Sequence, residues 1–294
     1  DGELDINALK IRIDRRLEGI NAIMSTYLLD SELSKINRAG ANEWLPISAE
    51  LYRVVQQALN ISAASHGAFD ITVGPLVNLW GFGPPGRPQQ VPDEETIKSV
   101  RENTGYHKVH LRESPRAIRK DADAIYLDLS GIAKGYAVDA VAALLEQESL
   151  HDYMFEIGGE IRARGLNADG ENWRIGIEKP VTGERAMERI IHLKNTGMAT
   201  SGNYRNFYDM NGIRFAHIID PATGKPVVQH LASVTVLDKE CMAADAWATA
   251  LFVLGPDQGL DLARRLRMPV LFIVKNDTGF QETMTEEFRP YLAE

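Results

Sequence analysis

Asp245 and Thr249 are four residues apart in the segment 243–250, whose other members are almost all apolar. Residues with this spacing share one face of a helix, so the carboxylate and the hydroxyl would project together. Hard oxygen ligands of this kind are the ones that Mg²⁺ prefers. The structural alternative is that the dipole at a helix N-terminus favours Asp245, while Thr249 is simply packed. Spacing alone leaves both interpretations open.

A second polar group occurs at residues 128–135 (DLSGIAKG), where a predicted strand turns into a predicted helix. Free backbone amides near Ser130 and Gly131, with Lys134 in the first turn, are suited to holding a phosphate. The alternative is an ordinary helix that Ser130 or Asp128 caps, with Lys134 on the surface. Both interpretations stay open at this point.

Two further segments carry polar groups or glycines within predicted strands. Residues 156–160 (EIGGE) would let a ligand approach the backbone closely, or would form a bulged strand. His217 stands in an alternating segment just before Ile218-Ile219-Asp220-Pro221. An imidazole is suited to acid–base chemistry, although a single histidine in a strand is more often structural than catalytic.

The composition excludes several classes of protein. The chain has 294 residues, with 32 Lys and Arg against 41 Asp and Glu, so its net charge of −9 disfavours a nucleic-acid binder. Cys241 is the only cysteine, which excludes an internal disulfide framework and a cysteine-rich zinc site. The run Gly81-Phe82-Gly83-Pro84-Pro85-Gly86 matches a dinucleotide fingerprint in letters, but its prolines predict a loop. No nucleophile elbow or P-loop motif occurs.

Hydrophobic periodicity and turn residues predict the elements that would position these groups. Helices are expected at 6–26, between Ser48 and Gly67, from about 131, at 243–254 and near 256–266, and strands at 124–129, 154–157, 173–177, 190–193, 215–219, 233–237 and 270–274. Clustered strands with helices at intervals predict an α+β fold with a mainly antiparallel sheet. We expect residues 1–294 to form one unit of two lobes.

Seven sequence blocks occur in an order typical of one family. They are 24–27 (MSTY) with 30–34 (DSELS), 67–76 (GAFDITVGPL), 128–136 (DLSGIAKGY), 157–160 (IGGE), 199–202 (ATSG), 217–221 (HIIDP) with Gly224, and 244–250 (ADAWATA). Along nearly its whole length the chain resembles the FAD:protein FMN transferase (ApbE) family. The resemblance implies an α+β unit of the duplicated tunnelling-fold type, with FAD between its lobes.

The resemblance also implies an activity. A Mg²⁺-dependent enzyme of this kind takes FAD as substrate, transfers its FMN half to a threonine hydroxyl of a target protein and releases AMP. By the same resemblance, the target would be a membrane-associated redox subunit, and the mature chain would be periplasmic and lipid-anchored.

Site residues follow from the resemblance position by position. Seven residues would contact FAD, the first four of them its flavin or adenosine part: Tyr27, Ala68, Phe69, Asp70, Asp128, Lys134 and Ile219. The side chains of Asp245 and Thr249, with the backbone oxygen of Gly131, would hold Mg²⁺. His217 would assist the transfer.

Two rival functions remain open at the level of sequence. With water as the acceptor, the same site would be an FAD pyrophosphatase that yields FMN and AMP. A flavin-binding carrier without turnover would need the same FAD contacts and no chemistry.

Overall fold

Helices and antiparallel strands alternate through the computed structural model, which describes residues 5–179, 187–203, 207–210, 213–228, 230–277 and 279–293. The helices are α1 Ile6–Met24, α2 Glu32–Arg38, α3 Ala49–Ala64, α4 Gly74–Leu79, α5 Glu94–Arg101, α6 Ala133–Gln147 and α7 Cys241–Arg265. The strands are β1 Leu45–Pro46, β2 Val109–Arg112, β3 Ala117–Lys120, β4 Tyr153–Ile157, β5 Glu160–Arg164, β6 Trp173–Glu178, β7 Met187–Leu193, β8 Thr196–Gly202, β9 Phe207–Met210, β10 Ile213–Ala216, β11 Ile219–Asp220, β12 Lys225–Pro226, β13 Leu231–Asp238, β14 Val270–Asn276 and β15 Gly279–Met284. Among the helices described, none is both long and apolar enough to cross a membrane.

The largest sheet has six strands in the order β15-β14-β13-β8-β5-β4, and each neighbouring pair is antiparallel. Along β14, Val270 and Phe272 pack with α7, whereas Leu271 and Ile273 pack with the hairpin β6–β7. Alternation of this kind is what a strand buried on both faces requires. The predicted α+β fold with a mainly antiparallel sheet and packed helices is therefore confirmed.

The first turn of α7 is tightly enclosed by its neighbours. A Cβ on Gly135 of α6 would lie 2.4 Å from the carbonyl oxygen of Cys241, and one on Gly197 of β8 would lie 2.6 Å from the Cys241 nitrogen. Only glycine permits these approaches. The carboxylate of Asp139 accepts hydrogen bonds from the amides of Cys241 and Met242 at 3.0 and 2.8 Å, so α6 caps the N-terminus of α7.

The two helices predicted at 243–254 and 256–266 are two limbs of α7. Gly255 has φ 79° and ψ −179°, which interrupts the helical backbone at that residue. Glycine adopts this φ without a steric penalty. Pro256 then starts the second limb, where its missing amide hydrogen costs no hydrogen bond. The predicted boundary is confirmed.

The predicted strand at 124–129 is wrong, because this extended segment joins no sheet. Its peptide groups bond to a side chain instead: Asn37 Nδ2 donates to the Leu127 carbonyl at 2.9 Å, and the Leu127 amide donates to Asn37 Oδ1 at 2.7 Å. The Asp128 amide then donates to the Ile71 carbonyl at 2.7 Å. The apolar pattern reflects burial of Ile125, Leu127 and Leu129 rather than strand pairing.

Smaller differences concern the ends of elements. The predicted strand 215–219 is interrupted, since β10 ends at Ala216 and β11 begins at Ile219. Between them, the Ile218 carbonyl accepts a hydrogen bond from the Val227 amide at 2.9 Å. The helix expected from about 131 begins at Ala133, and the helix expected over 6–26 ends at Met24.

Candidate functional site

One cavity of about 740 Å³ lies where α6, α7, β8 and several loops meet. All eleven residues that the sequence singled out line it: Tyr27, Ala68, Phe69, Asp70, Asp128, Gly131, Lys134, His217, Ile219, Asp245 and Thr249. These residues are spread along the chain from Tyr27 to Thr249, a span of more than two hundred positions. The structure thus brings the predicted site residues together, while their individual roles stay predictions.

Asp245 and Thr249 project into the cavity from α7, opposite the turn that leads into α6. A Cβ on Gly131 would lie 3.3 Å from Thr249 Oγ1, and Ser201 Oγ lies 3.3 Å from the same oxygen. Asp245 is buried, and its Oδ2 accepts a hydrogen bond from the Gly135 amide at 3.0 Å. A carboxylate, a hydroxyl and a main-chain segment therefore meet in one place.

Lys134 links this carboxylate to a second one that the sequence analysis did not assign. Its Nζ donates to Glu160 Oε1 at 2.5 Å, and Glu160 is only 2% exposed. The other oxygen, Glu160 Oε2, is buried and has no hydrogen-bond partner among the residues described. The sequence signal nearest to Glu160 is the segment 156–160, and its two glycines indicate close approach of a ligand to the backbone rather than a role for the Glu160 side chain.

Burial dominates the electrostatics of the two carboxylates, Glu160 and Asp245, but is outweighed at Lys134. It raises the pKa of Glu160 to about 7, and the negative charge of Asp245 adds to the rise. Burial also raises the pKa of Asp245, against the lowering effect of Lys134. For Lys134 burial lowers the pKa, but Asp245 and Glu160 together outweigh it, and its pKa lies above the ordinary value. Lys134 therefore carries its positive charge throughout the physiological range.

The wall formed by Ala68, Phe69 and Asp70 is a fixed turn. Asp70 Oδ1 accepts hydrogen bonds from the amide and hydroxyl of Thr72 at 2.8 and 2.7 Å, and Oδ2 accepts one from the Tyr106 amide at 2.8 Å. Burial raises the pKa of this carboxyl. The carboxylate of Asp70 thus fixes the shape of this wall.

Asp128 shapes the turn before α6. Its Oδ1 accepts hydrogen bonds from the amide of Ser130 at 2.8 Å and from the Ser130 hydroxyl. The N-cap position of α6 is Ile132, and no side chain caps the helix there. The alternative in which Ser130 or Asp128 caps this helix is therefore wrong.

His217, in the break between β10 and β11, and Ile219, the first residue of β11, both line the cavity. His217 is half-buried, and the Phe82 ring meets it edge-on with 6.4 Å between centroids. Phe82 belongs to the proline-rich segment expected to be only a loop. It is a loop, yet Phe82 lines the cavity, and nothing in its spacing could have indicated that.

Known proteins resemble this chain over almost all of its length. The sequence pattern of the ApbE family matches residues 3–272. The FAD:protein FMN transferase of Vibrio cholerae serotype O1 is 47% identical over 292 residues, which cover 99% of this chain and 87% of that protein. The one from Escherichia coli K12 is 40% identical over 286 residues, covering 97% and 82%.

Solved structures agree with these sequence matches. The flavin transferase ApbE from Vibrio cholerae has a TM-score of 0.92 at 46% identity, covering 99% of this chain and 92% of that one. The apo form of Pseudomonas stutzeri flavinyl transferase ApbE has a TM-score of 0.90 at 38% identity, covering 100% and 90%. Because sequence blocks, fold and coverage all coincide, the chain belongs to the ApbE family.

Proposed function

We propose that this chain transfers the FMN half of FAD to a threonine hydroxyl of a target protein and releases AMP, in a reaction that requires Mg²⁺. The observation that carries the proposal is the convergence of Lys134, His217, Asp245 and Thr249 on one cavity. The relatives named as FAD:protein FMN transferases support the flavin donor and the protein acceptor.

The donor atoms in the cavity fit a magnesium ion. Asp245 would supply a carboxylate oxygen, Thr249 a hydroxyl oxygen and Gly131 its main-chain oxygen, and all three are hard ligands. Within the described residues no cluster of three or more His, Cys, Asp or Glu could hold a metal. Of the three proposed ligands, Asp245 is the charged one. When bound, it would neutralise charge that develops on the pyrophosphate.

The side chains of the chain itself account for the remaining steps. Lys134, whose ammonium group donates a hydrogen bond to Glu160, would hold a positive charge beside the phosphates of FAD. His217 would accept the proton of the threonine hydroxyl as its oxygen forms a bond to the FMN phosphorus. The bond from that phosphorus to the bridging pyrophosphate oxygen breaks, and this oxygen leaves with AMP.

The test uses the chain with FAD, Mg²⁺ and the acceptor protein of the Vibrio cholerae relative. We expect AMP release in step with a mass gain on an acceptor threonine that equals FMN minus one water. AMP release with an unmodified acceptor would show an FAD pyrophosphatase instead. Bound FAD without AMP release would show a carrier.

We further propose that the mature chain works in the periplasm, held there by a lipid anchor, on a membrane-associated redox subunit. All three points rest on the resemblance of the chain to its family. Fractionation of the producing cells tests the location and the anchor: recovery of the chain in the cytoplasmic fraction would contradict them.

A further inference from the structure

The loop between α1 and α2 presents three large apolar side chains to solvent. Tyr27, Leu28 and Leu29 have exposed fractions of 67%, 47% and 76%. Isolated apolar residues on a surface need no explanation, but three consecutive ones form a patch of the kind that binds a partner. We call these three residues the rim patch.

The backbone beneath the rim patch is firmly held. Ser31 Oγ and Ser34 Oγ donate to the Ser25 carbonyl at 2.6 and 3.2 Å, and the Ser31 amide donates to the Leu28 carbonyl at 3.1 Å. The Arg38 guanidinium donates to the Leu29 carbonyl at 2.7 Å. The apolar side chains are therefore displayed on an ordered loop, which lowers the entropy lost when a partner binds.

The rim patch is continuous with the candidate active site. Tyr27 lines the cavity although most of its surface is exposed, so it stands at the mouth. Leu28 and Leu29 follow it and do not line the cavity, which places them just outside. A protein that receives FMN must bring its hydroxyl to this mouth, and the polypeptide on either side of that hydroxyl must then cross the rim.

We infer that Leu28 and Leu29 form a docking surface for the acceptor protein, binding apolar side chains next to its acceptor threonine. This inference rests on the proposed function. A polypeptide is a better occupant than an anionic lipid surface, because the chain carries a net charge of −9 and exposed Asp30 adjoins the patch.

The experiment compares the wild type with the double variant Leu28→Ser/Leu29→Ser, using the acceptor protein of the Vibrio cholerae relative. We expect the variant to raise the KM for the acceptor at least about tenfold, since truncated apolar anchors weaken binding. FAD affinity and the rate at saturating acceptor should not change. Leu266→Ser is the matched control, because Leu266 is a 44% exposed leucine that does not line the cavity and should leave every parameter unchanged.

The outcomes separate this inference from the proposed function. If the wild type does not flavinylate the acceptor, the proposed function fails. If it does and the double variant has an unchanged KM, the docking surface is wrong. Should the double variant bind FAD poorly, Leu29→Ser alone provides the test. If the double substitution abolishes binding to phosphatidylcholine–phosphatidylglycerol vesicles, or dissociates a dimer, without changing KM, the patch serves a membrane or a second copy, and the inference is overturned.

Discussion

At the scale of single residues, Asp245 has two roles with different requirements: it accepts a hydrogen bond, and it is the proposed charged ligand of Mg²⁺. It accepts a hydrogen bond from the Gly135 amide, which any carboxyl or carboxamide oxygen could do. As the proposed metal ligand it must also be ionised, although burial raises its pKa. Asparagine at position 245 would keep the shape and the hydrogen-bond acceptor but remove the charge, so this substitution tests the two roles separately.

For Asp245→Asn we expect stability within about 1 kcal/mol of the wild type, because the amide oxygen still accepts from Gly135. Turnover should fall about 100-fold or more, because one charged ligand of the proposed Mg²⁺ is lost. The measurement is AMP release over a range of Mg²⁺ concentrations, together with the melting temperature. Asp238→Asn, a substitution of a carboxylate outside the cavity, is the control. Undiminished Mg²⁺-dependent turnover would rule out Asp245 as the ligand.

For His217→Asn we expect turnover to fall about 10²–10⁴-fold if the imidazole is the general base. FAD affinity and melting temperature should change little. Single-turnover rates at saturating FAD and acceptor measure the effect. A fall in melting temperature that accompanies the lost activity would assign His217 a structural role, and a near-normal rate would leave the proton to solvent.

At the scale of elements, the sequence best predicts features that are set by residues close together in the chain, such as which side chains share a helix face. The four-residue separation of Asp245 and Thr249 is a local property of a helix, so their shared face could be predicted. Glu160 could not be assigned, because its partner Lys134 is 26 positions away and the two meet only after folding. The strand predicted at 124–129 failed for the same reason, since Asn37 is 90 positions from Leu127.

The close approach of α6 to α7 gives a test at this scale. For Gly135→Ala we expect a loss of about 1–3 kcal/mol, because the new methyl group meets the Cys241 carbonyl oxygen and the helices must move apart. Gly19→Ala is the matched control. Gly19 lies within α1, an added Cβ would have no atom within 4 Å apart from the adjoining backbone of its own helix, and helix propensity predicts a gain of about 1 kcal/mol. Urea unfolding measures both. Equal stability of the two variants would contradict the described packing.

The cap of α7 predicts a pH dependence. Burial raises the pKa of Asp139 to about 6 from 3.8, despite Arg162 at 3.6 Å. The folded chain then holds this proton more tightly than the unfolded chain, so its contribution to the free energy of unfolding falls as pH rises between these values. Asp139→Asn removes this titration. The difference in free energy of unfolding between the variant and the wild type should therefore shift by about 3 kcal/mol in favour of the variant as pH rises from about 4 to about 7.

A second helix cap supplies the control for this measurement. Asp93 caps α5, and the hydrogen bond from the Thr96 amide lowers its pKa. Its contribution is complete above the unfolded pKa of 3.8 and is lost only as pH falls below that value. The difference in stability between Asp93→Asn and the wild type should therefore stay constant between about pH 4 and pH 7. Urea unfolding across this pH range measures both variants. Equal slopes for the two would contradict the assigned pKa shifts.

At the scale of the whole molecule, the cavity is lined by residues that belong to separate hydrophobic clusters. Phe69 packs in the core around α1 and α3, whereas Ile219 packs with α4 and α5. Both line the cavity, as does Thr249 of α7. A ligand that contacts all three connects these packing units.

We therefore expect FAD at about 100 times its Kd to stabilise the fold by about 2.7 kcal/mol, which corresponds to a rise in melting temperature of about 4 °C. AMP and FMN, each occupying part of the cavity, should give smaller shifts at equal concentration. Differential scanning calorimetry measures all three. A melting temperature unaffected by FAD would contradict the assignment of the cavity.

The pairing of Asn37 with Leu127 determines how freely position 37 can vary. A primary amide offers one donor and one acceptor side by side, just as a peptide group does, so this one side chain takes the place of a neighbouring strand. Aspartate supplies no donor, leucine supplies neither group, and glutamine places the same amide one methylene too far. Saturation mutagenesis that scores folded protein should therefore return asparagine almost alone at this site, although it lies on a short helix and contacts no proposed substrate.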